Sequence, residues 1–202
     1  MSAARAEILA RVRAAIAPTG SSAPEVPRGY RTRTDDGLET FIDRLHHYGA
    51  HTERVGERHL AAAVRDTLEL RGVRRLVVPD GIPEEWTGRV EPLTDEPPLD
   101  FEMLDLSNGA ITTCAVAIAQ TGTIVLDGSA GMGRRALSLV PDYLLCIVRA
   151  GQIVSSVPEA IARLDPVRPL TFISGPSATV DIEMVRIAGV HGPRRLDVIV
   201  VD

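Results

Sequence analysis

Four runs in the second half of the chain most constrain its fold: "CAVAIAQTGTIVLD" (114–127), "YLLCIVRAGQIV" (143–154), "PLTFIS" (169–174) and "LDVIVVD" (196–202). They are apolar, poor in charge and roughly strand-sized. A strand with one wet face alternates apolar and polar residues, so runs without that alternation predict strands covered on both faces. Between two of them, Ser156 and Glu159 stand at capping-box spacing ahead of "AIARL", which predicts a short crossover helix. Strands alternating with helices of this length make a parallel or mostly parallel sheet with helices on both sides the economical architecture, an α/β fold.

The first half repeats the alternation more sparsely. Residues 2–17 place Ile8, Leu9, Val12 and Ile16 on one face among good helix formers, which predicts a helix stopped at Pro18. The stretch 18–34, "PTGSSAPEVPRGYRTRT", has little to bury and reads as a linker, so residues 1–34 are a helical arm and residues 35–202 the main domain. Asp35 or Asp36 is positioned to cap a helix carrying Leu38, Phe41, Ile42 and Leu45, with Gly49 at its end. A strand at 51–55, a helix carrying Leu60, Val64 and Leu68 closed by Gly72, and a buried strand in "RRLVVP" (74–79) follow. Five prolines between 79 and 98 leave room for one short strand, near 90–93.

Composition excludes several functions. A net charge of -5 lacks the positive field that a general nucleic-acid or anionic-membrane binder needs. One Trp, Trp86, and 3% aromatic residues give no stacking platform for bases. No apolar run approaches the ~20 residues of a membrane span, and the N-terminus has no signal core, which points to the cytoplasm. Cys114 and Cys146 lie inside apolar runs as small hydrophobes, and two thiols fall short of the about four that hold an iron–sulfur cluster. His46, His47, His51 and His59 crowd one region, but Gly49 breaks the register that would align a pair and no H-E-x-x-H occurs, so no metal site is expected.

Three irregular segments remain for chemistry, and such loops collect ligands at strand ends in open α/β sheets. In "AQTGT" (119–123) Gly122 permits a tight turn and Gln120, Thr121 and Thr123 offer neutral hydrogen-bond groups; a bulge or turn into the strand explains it equally. In "DGSAGMGRR" (127–135) three glycines can turn amides toward an anion beside Arg134 and Arg135, although the spacing matches neither dinucleotide nor P-loop fingerprints. In the third, Ser174, Gly175, Pro176 and Ser177 precede Asp181, Glu183 and the "GVHGP" turn with His191. No nucleophile elbow supports a hydrolase triad, so a polar network of Asp181, Glu183 and His191 joining two loops is the simpler reading.

Taken in order, "TGTIVLDG" (121–128), "RALSLVPD" (135–142), "QIVSSVPEAIARL" (152–164), "ISGPSATVDIEM" (173–184) and "GVHGPRRLDVIVVD" (189–202) resemble the signature blocks of the lactate-utilisation protein C family (LutC/YkgG, the LUD domain). The resemblance implies a three-layer α/β/α sandwich similar to the NagB/RpiA/CoA-transferase group. It also implies a part in oxidation of L-lactate to pyruvate by a three-protein system whose other members carry the iron–sulfur clusters. The expectation is a subunit without a redox cofactor of its own, with cluster-bearing subunits as partners. Gln120 stands where many members have Glu, and an amide serves neither as carboxylate nucleophile nor as general base, which disfavours a CoA-transferase-like covalent step.

The alternative is a stand-alone enzyme binding a nucleotide or phosphorylated small molecule. A transcription regulator would need a DNA-reading module, and the residues before Asp35 offer one helix. Under either main reading, Thr121, Gly122, Thr123, Arg134, Ser174, Gly175, Ser177, Asp181, Glu183 and His191 are expected to line one pocket suited to a small anion.

Overall fold

The computed structural model describes residues 3–16, 26–179, 187–188 and 191–202, and its contacts divide the chain into two units, Met1–Arg31 and Thr32–Asp202. The expected arm, 1–34, thus gives Thr32–Thr34 to the second unit. In the first unit, helix α1 (Ala3–Ala15) carries an Arg11–Glu7 ion pair one turn apart, at 2.6 Å.

The second unit begins with helix α2 (Leu38–His47), which buries Phe41 and Leu45 completely. Its start departs from expectation. The cap position is held by Gly37 in extended backbone without any side-chain cap, and the Gly37 carbonyl accepts the Phe41 amide at 3.0 Å; Asp35 and Asp36 precede the cap position. Its end is as read: Gly49, at φ +82°, donates to the His46 carbonyl and Ala50 to that of Leu45, a closure that a left-handed glycine makes without Cβ strain. Strand β1 (His51–Val55) and helix α3 (Leu60–Leu70) follow, and Gly72 closes α3 in the same way. Next come β2 (Arg75–Val77), α4 (Glu84–Thr87), β3 (Glu91–Leu93), α5 (Phe101–Asp105) and β4 (Gly109–Thr112). The dense half adds β5 (Val116–Ile118), β6 (Thr123–Leu126), α6 (Arg135–Leu139), β7 (Tyr143–Arg149) and β8 (Ile153–Val154). It ends with α7 (Val157–Arg163), β9 (Thr171–Ile173), a hairpin of β10 (Ala178–Thr179) and β11 (Ile187–Ala188), and β12 (Arg195–Val201).

Six strands, in the order β1-β12-β7-β4-β2-β3, form a sheet in which every neighbouring pair is parallel. Side-chain alternation along β7 sorts the core. Tyr143, Leu145 and Ile147 pack with Leu60, Val64 and Leu68 of α3 and with Trp86 of α4. Leu144, Cys146 and Val148 face the other way, onto Phe41 and Leu45 of α2 and Leu137 of α6. Helices therefore cover both faces of the parallel sheet, and no helix among the described residues is long and apolar enough to cross a membrane.

The run 114–127 is a hairpin rather than one strand. Gly122, at φ +61°, turns the chain between β5 and β6, and these two join β8 and β9 in a four-stranded sheet of order β8-β5-β6-β9. The run 143–154 likewise divides: a 3-10 turn at Ala150–Gln152 passes it from the large sheet to the small one. Burial on both faces holds nonetheless, since Ala117, Ile124 and Leu126 join the core under the large sheet while Val116, Ile118 and Val125 pack beneath Ala160 of α7. Ser156 caps α7 by accepting the Glu159 amide, as its spacing predicts, and the Glu159 carboxylate accepts from Ser155.

Candidate functional site

In a parallel sheet the carboxyl ends of the strands are where ligands gather, most often where the strand order reverses. Here the reversal falls between β2 and β4, because the chain steps outward to β3, returns past β2 to β4 and then builds toward β7 and β12. The glycine-rich segment 127–134 fills that crevice itself. The Gly131 amide donates to the Asp80 carbonyl at 2.6 Å, and the Gly131 carbonyl accepts from the Thr113 amide at 2.9 Å. A methyl on Gly131 would stand 2.5 Å from Thr113 Oγ1. The Met132 and Gly133 amides turn to the Ser129 carbonyl, and that of Ser129 to Asp127. The Gly131 and Gly133 amides, candidates for an anion cradle, are therefore engaged within the protein.

Arg134 is engaged as well. It donates Nε and Nη2 to the two oxygens of Asp95, at 2.8 and 3.0 Å, and Nη2 also reaches the Leu99 carbonyl. These guanidinium bonds hold the Asp95 carboxyl below its ordinary value. Asp95 lines a cavity of about 770 Å³ at the carboxyl ends of β2 and β3, whose charged lining is acidic: Asp80, Glu84, Asp95 and Glu96.

A second, smaller cleft, of about 170 Å³, opens near the amino ends of β7 and β12. Ser174, Gly175 and Ser177, following β9, form one side, and His191, Gly192 and Pro193 the other. The Ser177 amide binds the Pro193 carbonyl at 2.7 Å and ties the two sides together. Leu139, Leu144, Ile173 and Leu196 supply apolar lining. Behind Ser174 runs a line of hydroxyls: Thr121 Oγ1 lies 2.7 Å from Thr123 Oγ1, which lies 2.7 Å from Ser174 Oγ. Gly122, between the two threonines, presses on α2, where a Cβ would fall 2.5 Å from Arg44 Cβ; only a glycine turn seats this line so close to the helix. His191 also borders a neighbouring hollow with Asp105 and Asp142, the latter paired with Arg194.

The structure thus brings Ser174, Gly175, Ser177 and His191 into one cleft and joins Thr121 and Thr123 to it through Ser174. Arg134 stands apart. It precedes α6 beside the larger cavity, while Leu139, at the far end of α6, lines the smaller cleft, so the expected residues do not share a single pocket. Asp181 and Glu183 lie outside the described residues. Gln120 is exposed in the turn before Thr121.

Sequence reading missed one buried cluster. Asp197, in β12 and 2% exposed, accepts both Nε and Nη2 of Arg71 at 2.6 and 2.7 Å and the Tyr143 hydroxyl at 3.1 Å. Burial, then Asp197 itself, pushes the Tyr143 phenol well above its ordinary range. The available signal was an acid inside an apolar strand, which requires a partner. Both cysteines are free and buried; burial raises the Cys114 thiol to about 12 and Cys146 well above its usual value. His46 binds Thr52, and no group of three or more His, Cys, Asp or Glu among the described residues is placed to hold a metal ion.

Residues 102–201 match the model of the LUD domain. The chain is 46% identical over 204 residues to a lactate utilization protein C of Deinococcus radiodurans, an alignment covering 98% of this chain and 95% of that protein. A lactate utilization protein C of Bacillus subtilis is 33% identical over 130 residues, 60% of this chain and 53% of that one. Among solved structures, a DUF162 family protein of Deinococcus radiodurans superposes with a TM-score of 0.70 at 44% identity, covering 81% of this chain and 95% of the other.

Proposed function

Because the chain belongs to the LUD-domain family of lactate utilization C proteins, we propose that it serves lactate utilisation as the subunit without a redox centre in an iron–sulfur complex that oxidises L-lactate to pyruvate. The observation that carries this reading is the 46% identity to a protein of that name across 95% of its length. The thiols support it. Cys114 and Cys146 are buried and two thiols fall short of the about four that hold an iron–sulfur cluster, so both suit packing and the clusters would reside in partners. The subunit would then bind, position or assemble, working in the cytoplasm.

The test is an anaerobic pull-down of the tagged protein from its native cells, followed by lactate-dependent reduction of an artificial dye. The reading expects cluster-bearing partners and dye reduction to arrive together. If a working assay finds neither with the tagged protein, the complex reading falls.

One observation favours a second reading, an enzyme acting alone: the cavity of about 770 Å³ lies where α/β proteins bind substrates and within the ~300–1,000 Å³ usual for small-molecule sites. It expects ATP, a CoA ester or a sugar phosphate to raise the melting temperature of the isolated protein saturably, since a ligand of the folded state shifts unfolding. Its acidic lining argues against phosphates.

A further inference from the structure

The cavities differ in charge: the large one and the hollow that shares His191 with the smaller cleft carry acids, and the described lining of the smaller cleft does not. On a chain of net charge -5, an anion approaches against the mean field and settles only where the local lining is free of acid. The large cavity is lined by Asp80, Glu84 and Glu96, besides the Asp95 that Arg134 pairs, and disfavours it. The described lining of the smaller cleft contains no Asp or Glu; its side-chain polar groups are Ser174, Ser177 and His191, set beside leucine and isoleucine. Its volume of about 170 Å³ lies below the ~300 Å³ at which sites for cofactor-sized ligands begin, and suits a much smaller molecule.

We propose that this cleft binds a three-carbon 2-hydroxy or 2-oxo carboxylate, such as L-lactate or pyruvate. The inference rests on the role in lactate utilisation and assigns that role a place on this chain. The hydroxyl line behind the cleft explains how a described lining without Lys or Arg can hold an anion. Each hydroxyl has one proton to give. If Thr121 donates to Thr123 and Thr123 to Ser174, the Ser174 proton is left to point into the cleft, and each bond in the line polarises the next. A carboxylate selects that direction, because the reverse order aims an oxygen lone pair at a negative charge. His191, on the facing side, adds an N–H donor in any tautomer that directs a protonated nitrogen inward. The apolar lining formed by Leu139, Leu144, Ile173 and Leu196 suits the methyl group, which a plain phosphate or sulfate lacks.

Calorimetric titration of the full chain tests this. L-lactate should bind saturably, propionate, which lacks the 2-hydroxyl, more weakly, and isopropanol, which lacks the carboxylate, not at all. Ser174→Ala and His191→Gln alter exposed side chains and should leave the fold intact by circular dichroism, yet each should weaken lactate by about tenfold, the effect of losing a hydrogen bond to a charged group. Glu84→Gln, in the other cavity, should change nothing. Absence of saturable lactate binding, or binding indifferent to both cleft variants, overturns the assignment. The two readings fail separately: if lactate-dependent dye reduction co-purifies while the isolated chain binds no lactate, the cleft assignment falls and the subunit role stands. If lactate binds through Ser174 and His191 while no dye reduction co-purifies, the reverse holds.

Discussion

Arg71 and Asp197 form an ion pair of unequal members. The Asp197 side chain is 3% exposed and that of Arg71 31%, so removing one partner is not equivalent to removing the other. Arg71→Ala leaves a buried carboxylate with the Tyr143 hydroxyl as its remaining described partner, and should cost roughly 3 kcal/mol in chemical denaturation. Asp197→Asn leaves a guanidinium that can turn to water, and should cost clearly less; equal costs would show that the pair is not desolvated as its geometry implies. The Arg134–Asp95 pair is more exposed, with Arg134 at 38%, and solvent screening limits it to about 1 kcal/mol. Its signature is pH dependence. The Asp95 carboxyl is held below its ordinary 3.8 in the folded chain, so the folded state binds the proton less readily than the unfolded state. The contribution is then fully present above that ordinary value and lost as pH falls through the depressed one. The stability difference between wild type and Arg134→Gln should be constant near neutrality and shrink only in acid; a difference that persists through the acid range would assign Arg134 a different role.

Elements were more legible than their assignments to sheets. The glycines that end α2 and α3, the capping serine of α7 and five strands of the parallel sheet, β1, β2, β3, β7 and β12, follow from local chemistry that a sequence displays directly, whereas β4, between β7 and β2, was not read. The apolar runs 114–127 and 143–154 report that both faces of a strand are covered but not by what, so their division between two sheets was hidden, and in the run 169–174 the expectation fails, since Phe172 of β9 is 47% exposed. A single glycine, Gly122, makes the first division, and glycines also signal turns that divide nothing. Gly131 illustrates the difference between a glycine that is needed and one that is tolerated. At φ +80° and with Thr113 Oγ1 2.5 Å from where a Cβ would stand, Gly131→Ala should lose about 1–3 kcal/mol and loosen the segment that fills the strand-order reversal. Gly151→Ala meets nothing within 4 Å and should be near neutral by thermal denaturation. If both changes cost the same, the filled crevice contributes nothing to stability.

At the scale of the whole molecule, the candidate site was legible in its parts and not in their pairing. Loops 119–123, 127–135 and 174–193 were marked by glycine and small polar residues, but Thr123 meets Ser174 across 51 residues and Arg134 meets Asp95 across 39, and local spacing carries no record of either. The same distance effect sets where the N-terminal arm ends. Composition places Thr32–Thr34 with the linker, yet they strap the start of α7. Ser156 Oγ donates to the Thr32 carbonyl at 2.6 Å, and Thr34 bonds Ser155 through its amide at 3.1 Å and its hydroxyl at 3.2 Å. Arg33 adds a contact to Glu159 at 3.3 Å, although its exposure leaves that worth little. A chain that begins at Thr32 keeps the strap's hydrogen bonds and serves as the reference in calorimetric melting. Removal of residues 1–34 takes the strap's hydrogen bonds as well, at about 1 kcal/mol each, and should lower melting by several degrees. If the two truncated chains melt at the same temperature, the strap's hydrogen bonds do not stabilise the start of α7.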